Sequence, residues 1–230
     1  GLIDWDRIVD RTRNLRGNNH FADPAGIMTA AAASFRIDKW GRQSYRVEVW
    51  VEKDALIGVV EVACRRLDVP FFACRGYTSQ SEMWGAAQRL ENWRRRGQTP
   101  VILYLGDHDP SGIDMTRDVA DRMTRFAGGL KVDRLALNWN QVERYNPPPN
   151  PAKLTDSRAK GYIASFGRSS WELDALDPTT LAGLIETAVA SFRDPALWAE
   201  AVEEEEEGLR LLQEAAGRWE DVASFLQSES

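Results

Sequence analysis

The sequence predicts an α/β protein in which helices flank an open parallel sheet, with helical extensions at both ends. Three observations predict it. Between residues 45 and 140, short segments rich in β-branched and aromatic residues alternate with segments of helical periodicity. Pro100–Leu105 is an almost continuous apolar run, which is typical of a strand covered on both faces. The loops are short and a helix separates successive strands, which favours parallel strands joined by right-handed crossovers.

Local signals mark where some of these elements begin. Asp23 followed by Pro24 is an N-cap with proline at the first helical position. Ser79 and Glu82 form a capping box, in which each residue satisfies an amide left unpaired at the helix start. In chain order, the predicted elements are a helix over Pro24–Phe35, a strand over Tyr45–Val51, a helix over Asp54–Leu67, a strand over Pro70–Cys74, a helix from Ser79 to about Arg96, a strand over Pro100–Leu105, a helix over Ser111–Phe126 and a strand over Val132–Leu137.

Prolines separate this series from the C-terminal region. Asn146–Pro151 reads NPPPNP, which suits neither a helix nor a central strand and predicts a rigid linker. Beyond it, Trp171–Leu176 is interpreted as a further strand, and Pro178–Phe192 and Pro195–Leu226 as helices.

Composition excludes several classes of protein. The 230 residues are 43% hydrophobic and 10% aromatic, which argues against intrinsic disorder. The longest uncharged stretch, Pro24–Phe35, has 12 residues and is too short to cross a bilayer. Cys64 and Cys74, with only two histidines beside them, lack the spacing of a zinc site and are too few for a disulfide framework. We therefore expect a cytoplasmic protein.

Charge is distributed unevenly along the chain. Residues 1–160 carry 25 Lys and Arg against 20 Asp and Glu, whereas residues 161–230 carry 4 against 15. Arginine accounts for 24 of the 29 basic residues, and its guanidinium pairs well with phosphate. The basic part is compatible with nucleic-acid binding, although genome composition explains a preference for arginine equally well.

Acidic residues follow two of the predicted strands. Glu52 follows the strand that ends at Val51, and Asp107 and Asp109 follow the strand that ends at Leu105. Parallel sheets bind ligands beyond the carboxyl ends of their strands, and three carboxylates there suit Mg²⁺ or Mn²⁺. The alternative is that Asp107 and Asp109 only cap the next helix.

These residues resemble a known family. The segments Val51–Lys53, Gly76-Tyr77 and Gly106–Gly112 (GDHDPSG) resemble a Toprim domain, a Rossmann-like sheet, and are most similar to the A subunit of topoisomerase VI and its meiotic double-strand-break relatives. The resemblance covers about residues 45–140. Asp156–Arg158 and Glu172–Leu176 are also similar to the C-terminal part of stand-alone bacterial relatives.

The resemblance implies a domain organisation and a site. It implies a helical N-terminal segment over residues 1–44, in which Asp4–Arg13 is interpreted as a remnant of a winged-helix domain. A Toprim-like domain over 45–145 and a linker with a mainly helical extension over 146–230 follow. It makes Glu52 a general acid/base or a metal ligand, and Asp107 and Asp109 ligands of Mg²⁺ or Mn²⁺. The implied activity is metal-dependent cleavage or nicking of nucleic acid, with DNA favoured.

One departure from the family affects the mechanism. Topoisomerases of this kind cleave DNA with a tyrosine on a domain that precedes the Toprim domain, and residues 1–44 contain no tyrosine. Metal-activated water is then the expected nucleophile. Alternatively, the chain is a non-catalytic DNA-binding or topoisomerase-like subunit that needs a missing tyrosine-bearing domain or a partner. A second copy of the chain, forming a homodimer, is one such partner. A third hypothesis is phosphoryl transfer through an aspartyl nucleophile.

Other residues have two interpretations each. Lys53, Arg75 and Arg158 are candidates for phosphate binding, although Lys53 can instead neutralise the acidic cluster. Glu172 and Asp174 would lie on one face of the predicted strand and provide either a second metal position or structural contacts. His108 is expected to face solvent, with a proton relay as the alternative.

Overall fold

The structure, a computed structural model, describes residues 18, 20–128, 130–153 and 155–228. In chain order its elements are α1 (Pro24–Ser34), β1 (Tyr45–Val51), a 3₁₀ turn (Asp54–Leu56), α2 (Ile57–Arg66), β2 (Phe71–Ala73), α3 (Gln80–Arg95), β3 (Thr99–Leu105), α4 (Pro110–Ala127), β4 (Lys131–Ala136), α5 (Trp139–Tyr145), β5 (Asn150–Pro151), α6 (Ala159–Phe166), β6 (Ser169–Ser170), a second 3₁₀ turn (Leu173–Ala175), α7 (Pro178–Ala190), α8 (Pro195–Gly217) and α9 (Trp219–Ser228). The predicted α/β class is confirmed.

The main sheet is parallel throughout. Within the described residues it has four strands in the order β2-β1-β3-β4. Strands β1 and β3 pair over their full length, from Tyr45 opposite Thr99 to Val51 opposite Leu105. Strand β2 pairs with the end of β1, and β4 pairs with β3. All four strands therefore end at the same edge of the sheet.

Alternation along the central strands produces a hydrophobic core on each face of the sheet. Val49 and Leu103 point into one core, which includes residues of α2 and α7. Trp50 and Ile102 point into the other, which includes residues of α3 and α4. Because both faces are covered, β1 and β3 are almost entirely buried, as their apolar sequences predict.

The chain divides into two compact units. Residues 38–202 form the unit that contains the sheet, and the described residues up to 37 form the second unit together with 203–228. In the second unit, the backbone N–H of Ile37 donates to the Glu205 carboxylate at 2.9 Å. Asp23 caps α1 as predicted, because its carboxylate accepts from the N–H of Gly26 at 2.8 Å. The proposed winged-helix remnant at Asp4–Arg13 lies outside the described residues.

Within the described residues, no helix is both long and apolar enough to cross a membrane.

The proline-rich segment pairs with a later part of the chain. Strand β5, at the end of the predicted linker Asn146–Pro151, pairs antiparallel with β6. This pairing attaches the end of the proline-rich segment to the residues just before the second 3₁₀ turn.

The strand predicted at Trp171–Leu176 is wrong. Trp171 forms an isolated antiparallel bridge with His108, and the chain then enters the 3₁₀ turn at Leu173–Ala175. Leu173 and Leu176 are both buried, and their spacing of three residues suits a 3₁₀ turn rather than the alternation of a strand. The backbone N–H of Leu173 donates to the Asp107 carboxylate at 2.8 Å, so this turn is joined to the edge of the sheet.

Replacement of Leu173 by alanine should lower the free energy of unfolding by about 2–5 kcal/mol, since the side chain is fully buried and its loss leaves a cavity. Val62 lies on α2 with 59% of its surface exposed, so Val62→Ala should change stability by only about 0.5 kcal/mol. Urea denaturation of both variants measures the difference. Equal losses would show that the 3₁₀ turn does not belong to the core.

Candidate functional site

Three carboxylates lie at the carboxyl edge of the sheet, where β1 and β3 end side by side. Glu52 follows β1 directly, and Asp107 and Asp109 lie in the loop between β3 and α4. Glu52 and Asp107 are only 8% and 7% exposed. The Oε2 atom of Glu52 accepts the backbone N–H of Asp107 at 3.1 Å, so the two strand ends are hydrogen-bonded at this edge. The placement of acidic residues at one edge thus agrees with the prediction.

Two glycines allow the loop to approach Glu52 closely. A Cβ atom on Gly106 would lie 2.7 Å from Oε2 of Glu52 and 2.9 Å from the ring of Tyr104. A Cβ atom on Gly112 would lie 2.3 Å from the carbonyl oxygen of Asp107. A side chain at Gly106 would push the loop away from Glu52, and one at Gly112 would push the start of α4 away from the loop. These close approaches explain both glycines of the GDHDPSG segment.

Asp109 caps the next helix, as the capping alternative predicts, whereas Asp107 does not. Asp109 is the N-cap of α4, and its Oδ1 accepts the N–H of Gly112 at 2.6 Å. Asp107 instead bonds to two distant segments: Oδ1 accepts the N–H of Leu173, and Oδ2 lies 3.0 Å from the ammonium of Lys53. Within the described residues, hydrogen bonds therefore engage both oxygens of Asp107 but only one each of Glu52 and Asp109.

Burial and electrostatic repulsion at this edge make Glu52 a weaker acid. Burial, the negative charge of Asp107 and that of Asp109 raise the pKa of Glu52 to about 7, although the hydrogen bond from Asp107 and the charge of Arg134 oppose the shift. Burial also raises the pKa of Asp107, against the effect of Leu173 and Lys53. Glu52 can therefore gain or lose a proton near neutral pH.

Lys53 lies inside a second group of acids. Its ammonium is 2.6 Å from Glu172, 3.0 Å from Asp107 and 3.6 Å from Asp174. Burial opposes the charge of Lys53, but the hydrogen bonds to Glu172 and Asp107 outweigh it and raise the pKa of the ammonium. Glu172 is the N-cap of the second 3₁₀ turn and Asp174 lies in that turn, not in a strand as predicted, and both contact Lys53.

Arg134 holds the loop in place and was not identified from the sequence. It lies on β4 opposite Tyr104, and its guanidinium donates to the carbonyls of Gly106 and Gly112 at 3.0 Å and of Asp107 at 2.5 Å. Burial lowers the pKa of the guanidinium, which nevertheless remains charged at neutral pH. The available signal was the one arginine in the predicted strand Val132–Leu137, where Asp133 is the only other charged residue. Its carbonyl partners could not be read from the sequence.

The expectation that His108 faces solvent is wrong. The residue is 1% exposed, and its imidazole is surrounded by the rings of Trp139, Tyr162, Phe166 and Trp171 at centroid distances of 5.7, 5.5, 4.7 and 5.9 Å. Burial lowers the pKa of His108 to about 4, and its Nδ1 hydrogen-bonds with the Tyr162 hydroxyl at 2.8 Å. The side chain is neutral at physiological pH and packs between the loop and α6.

The other predicted phosphate-binding residues pair with acids. Arg75 lies 2.8 Å from Asp54, with 74% of its side chain exposed. Arg158 lies 2.7 Å from Asp156 and 3.2 Å from Asp114. A phosphate would have to compete with these partners, and nucleic-acid binding by the two arginines stays a prediction.

The chain matches no protein-family model, no curated protein and no solved structure. A function for this chain must therefore be inferred from its own residues and their geometry.

A divalent cation at this edge would be held by Glu52, Asp107 and Asp109. Within the described residues, no three His, Cys, Asp or Glu side chains are already arranged as a set of metal ligands. The donor chemistry nevertheless fits a hard cation, because all three groups are carboxylates. The hydroxyl of Tyr104, close to Glu52, is buried without a hydrogen-bond partner. A buried orphan of this kind is expected to have an additional polar neighbour, such as water.

Glu52→Gln should change how stability depends on pH. The pKa of Glu52 is about 7 in the folded protein against 4.5 ordinarily, so the folded state holds the proton more tightly. This contribution to stability is full below the unfolded pKa and is lost as pH rises through the folded one. Between about pH 5 and about pH 8, the parent should lose about 2–3 kcal/mol relative to Glu52→Gln, which cannot ionise.

Urea denaturation in EDTA at several pH values measures this difference. Glu61→Gln is the matched control, because Glu61 lies on α2 and pairs with Arg65 away from the site. Its stability should follow that of the parent. A constant difference between the parent and Glu52→Gln would show that the carboxyl titrates normally.

Proposed function

We propose that this chain is an Mg²⁺- or Mn²⁺-dependent enzyme of the Toprim type that cleaves or nicks nucleic acid at Glu52, Asp107 and Asp109. The observation that carries the proposal is the group of acids at the carboxyl edge, where burial and the negative charges of Asp107 and Asp109 raise the pKa of Glu52 to about 7. Buried acids that repel one another are costly for stability and are typical of sites that bind cations or move protons.

The position of the cluster and the sequence resemblance support the same conclusion. Ligands of open parallel sheets bind beyond the carboxyl ends of the strands, which is where these three residues lie. The parallel α/β fold agrees with the fold that a Toprim domain requires. The resemblance assigns metal binding and acid–base chemistry to the same residues that the geometry brings to this edge.

The chain's own residues have distinct roles in the proposed reaction. When bound, a divalent ion would stabilise the phosphate charge and lower the pKa of a coordinated water. Glu52 would be a third ligand of the ion or, with a pKa near neutrality in the metal-free protein, would accept or return the proton of the attacking water or the leaving oxygen. Asp107 and Asp109 would hold the ion. Arg134 fixes the loop that carries both aspartates through their neighbouring carbonyls.

A second candidate function is a non-catalytic DNA-binding or topoisomerase-like subunit that acts with a tyrosine-bearing domain or partner. The contacts of the aspartates favour it, because both oxygens of Asp107 are engaged and Asp109 caps α4. On this alternative, the loop is a structural element and binding does not lead to cleavage.

Glu52→Gln should abolish metal-dependent nicking of supercoiled plasmid and leave nucleic-acid binding largely intact. The change removes a proton-transfer group or ligand but no positive charge. Plasmid relaxation with Mn²⁺, alongside fluorescence anisotropy with labelled duplex and single strands, measures the two properties separately. Glu61→Gln is the control and should nick as the parent does.

The combined result separates the two candidate functions. Binding by the parent without nicking would favour the non-catalytic subunit. If Glu52→Gln nicked as fast as the parent, Glu52 would have no part in the reaction.

Asp109→Asn separates a metal ligand from a helix cap. Asparagine caps helices about as well as aspartate, so a purely capping residue would tolerate the change with little effect. If Asp109 is a ligand, the variant should melt higher than the parent in EDTA, because one repelling charge is gone. It should also lose most of the stabilisation by Mn²⁺, which for the parent is about 2.7 kcal/mol at about 100 times the dissociation constant.

Differential scanning fluorimetry of both proteins, with EDTA and with Mn²⁺, measures these shifts. For a chain of this size, the stabilisation corresponds to a rise of about 5–10 °C in the melting temperature of the parent. Equal melting temperatures in the four samples would leave Asp109 with capping as its role.

A further inference from the structure

We propose that the ammonium of Lys53 is the protein's own cation in a position that would otherwise hold a second divalent ion, so that the chain binds a single such ion. The inference rests on the proposed function, because it concerns how many metal ions the Glu52 site takes. It assigns Lys53 a positioning role among the acids rather than contact with the nucleic acid.

Three carboxylates from two separate segments meet at this ammonium. Asp107, in the loop after β3, lies 3.0 Å from the ammonium. Glu172, the N-cap of the second 3₁₀ turn, and Asp174, within that turn, lie at 2.6 and 3.6 Å. The carboxylates differ in exposure, with 10% of the Asp107 side chain exposed against 48% for Glu172 and 42% for Asp174. Carboxylate oxygens supplied by two separate segments are the kind of ligands that bind a hard cation.

The position is already occupied by the protein itself. The Lys53 side chain is 26% exposed, and its ammonium donates to Glu172 at 2.6 Å and lies 3.0 Å from the Asp107 carboxylate. A divalent ion among the same three carboxylates would displace the ammonium or lie against its positive charge. Either requirement disfavours a second ion as long as the lysine is present.

Asp107 links the two positions. Its carboxylate bonds to Lys53, and its charge also acts on Glu52. The ammonium of Lys53 offsets one negative charge beside Asp107. The negative charge that remains on Glu52, Asp107 and Asp109 can then bind one divalent ion. Glu172 and Asp174, which the sequence suggested as a second metal position, then serve to hold Lys53.

Removal of the charge should open the second position. Lys53→Met keeps the length of the side chain but leaves Asp107, Glu172 and Asp174 without a cation, so it should bind one more Mn²⁺ than the parent. Electron paramagnetic resonance of free Mn²⁺ during a titration counts the bound ions without any need for activity. We expect one ion for the parent and two for Lys53→Met.

Three further variants make the count specific. Lys53→Arg keeps the charge and should bind one ion. Lys131→Met makes the same substitution at a lysine that pairs with Asp133, and it should also bind one ion. Addition of Glu172→Gln and Asp174→Asn to Lys53→Met should return the count to one. Circular dichroism checks that each variant is folded, and Lys53→Gln replaces Lys53→Met if the latter is not.

The counts distinguish this proposal from the proposed function. Two ions on the parent, or no additional ion on a folded Lys53→Met or Lys53→Gln, would overturn the role of Lys53. A parent that binds no ion, together with a Lys53→Met variant that binds one, would refute the Glu52 metal site and support the position at Lys53.

Discussion

The parallel pairing of β1 with β3 determines where every group of the candidate site lies. Val51 is opposite Leu105, so the chain leaves both strands at the same level and Glu52 emerges beside Gly106. A shift by one residue would turn Glu52 to the opposite face of the sheet. The buried apolar residues of both strands hold this register, and the site therefore depends on the same packing that stabilises the fold.

The site collects negative charge at a place where burial makes charge expensive. Two cations compensate part of it in different ways: Arg134 bonds to the carbonyls of the loop, and Lys53 bonds to carboxylates. Burial and the charges of Asp107 and Asp109 raise the pKa of Glu52 to about 7, so this carboxyl gains or loses its proton near neutral pH. Such an arrangement costs stability, and a cation or a proton relieves it. The negative charge that destabilises the site is therefore the same charge that would bind the proposed cation.

The sequence predicted the features that depend on local pattern and failed where distant segments meet. The strands, the N-cap at Asp23 and the acidic residues after β1 and β3 follow from periodicity and spacing, and all lie where expected. The strand at Trp171–Leu176 was wrong because the N–H of Leu173 bonds to Asp107, 66 residues away. His108 was misplaced for the same reason, since the rings that bury it come from α5, α6 and Trp171.

Location of the bound ion tests the central claim most directly. Crystals of the parent protein soaked in Mn²⁺ can be measured at a wavelength where manganese scatters anomalously, which shows the metal independently of the protein. The account predicts one strong anomalous peak, bonded to carboxylate oxygens of Glu52, Asp107 and Asp109. The absence of a peak at these carboxylates in crystals with Mn²⁺ bound elsewhere would contradict it.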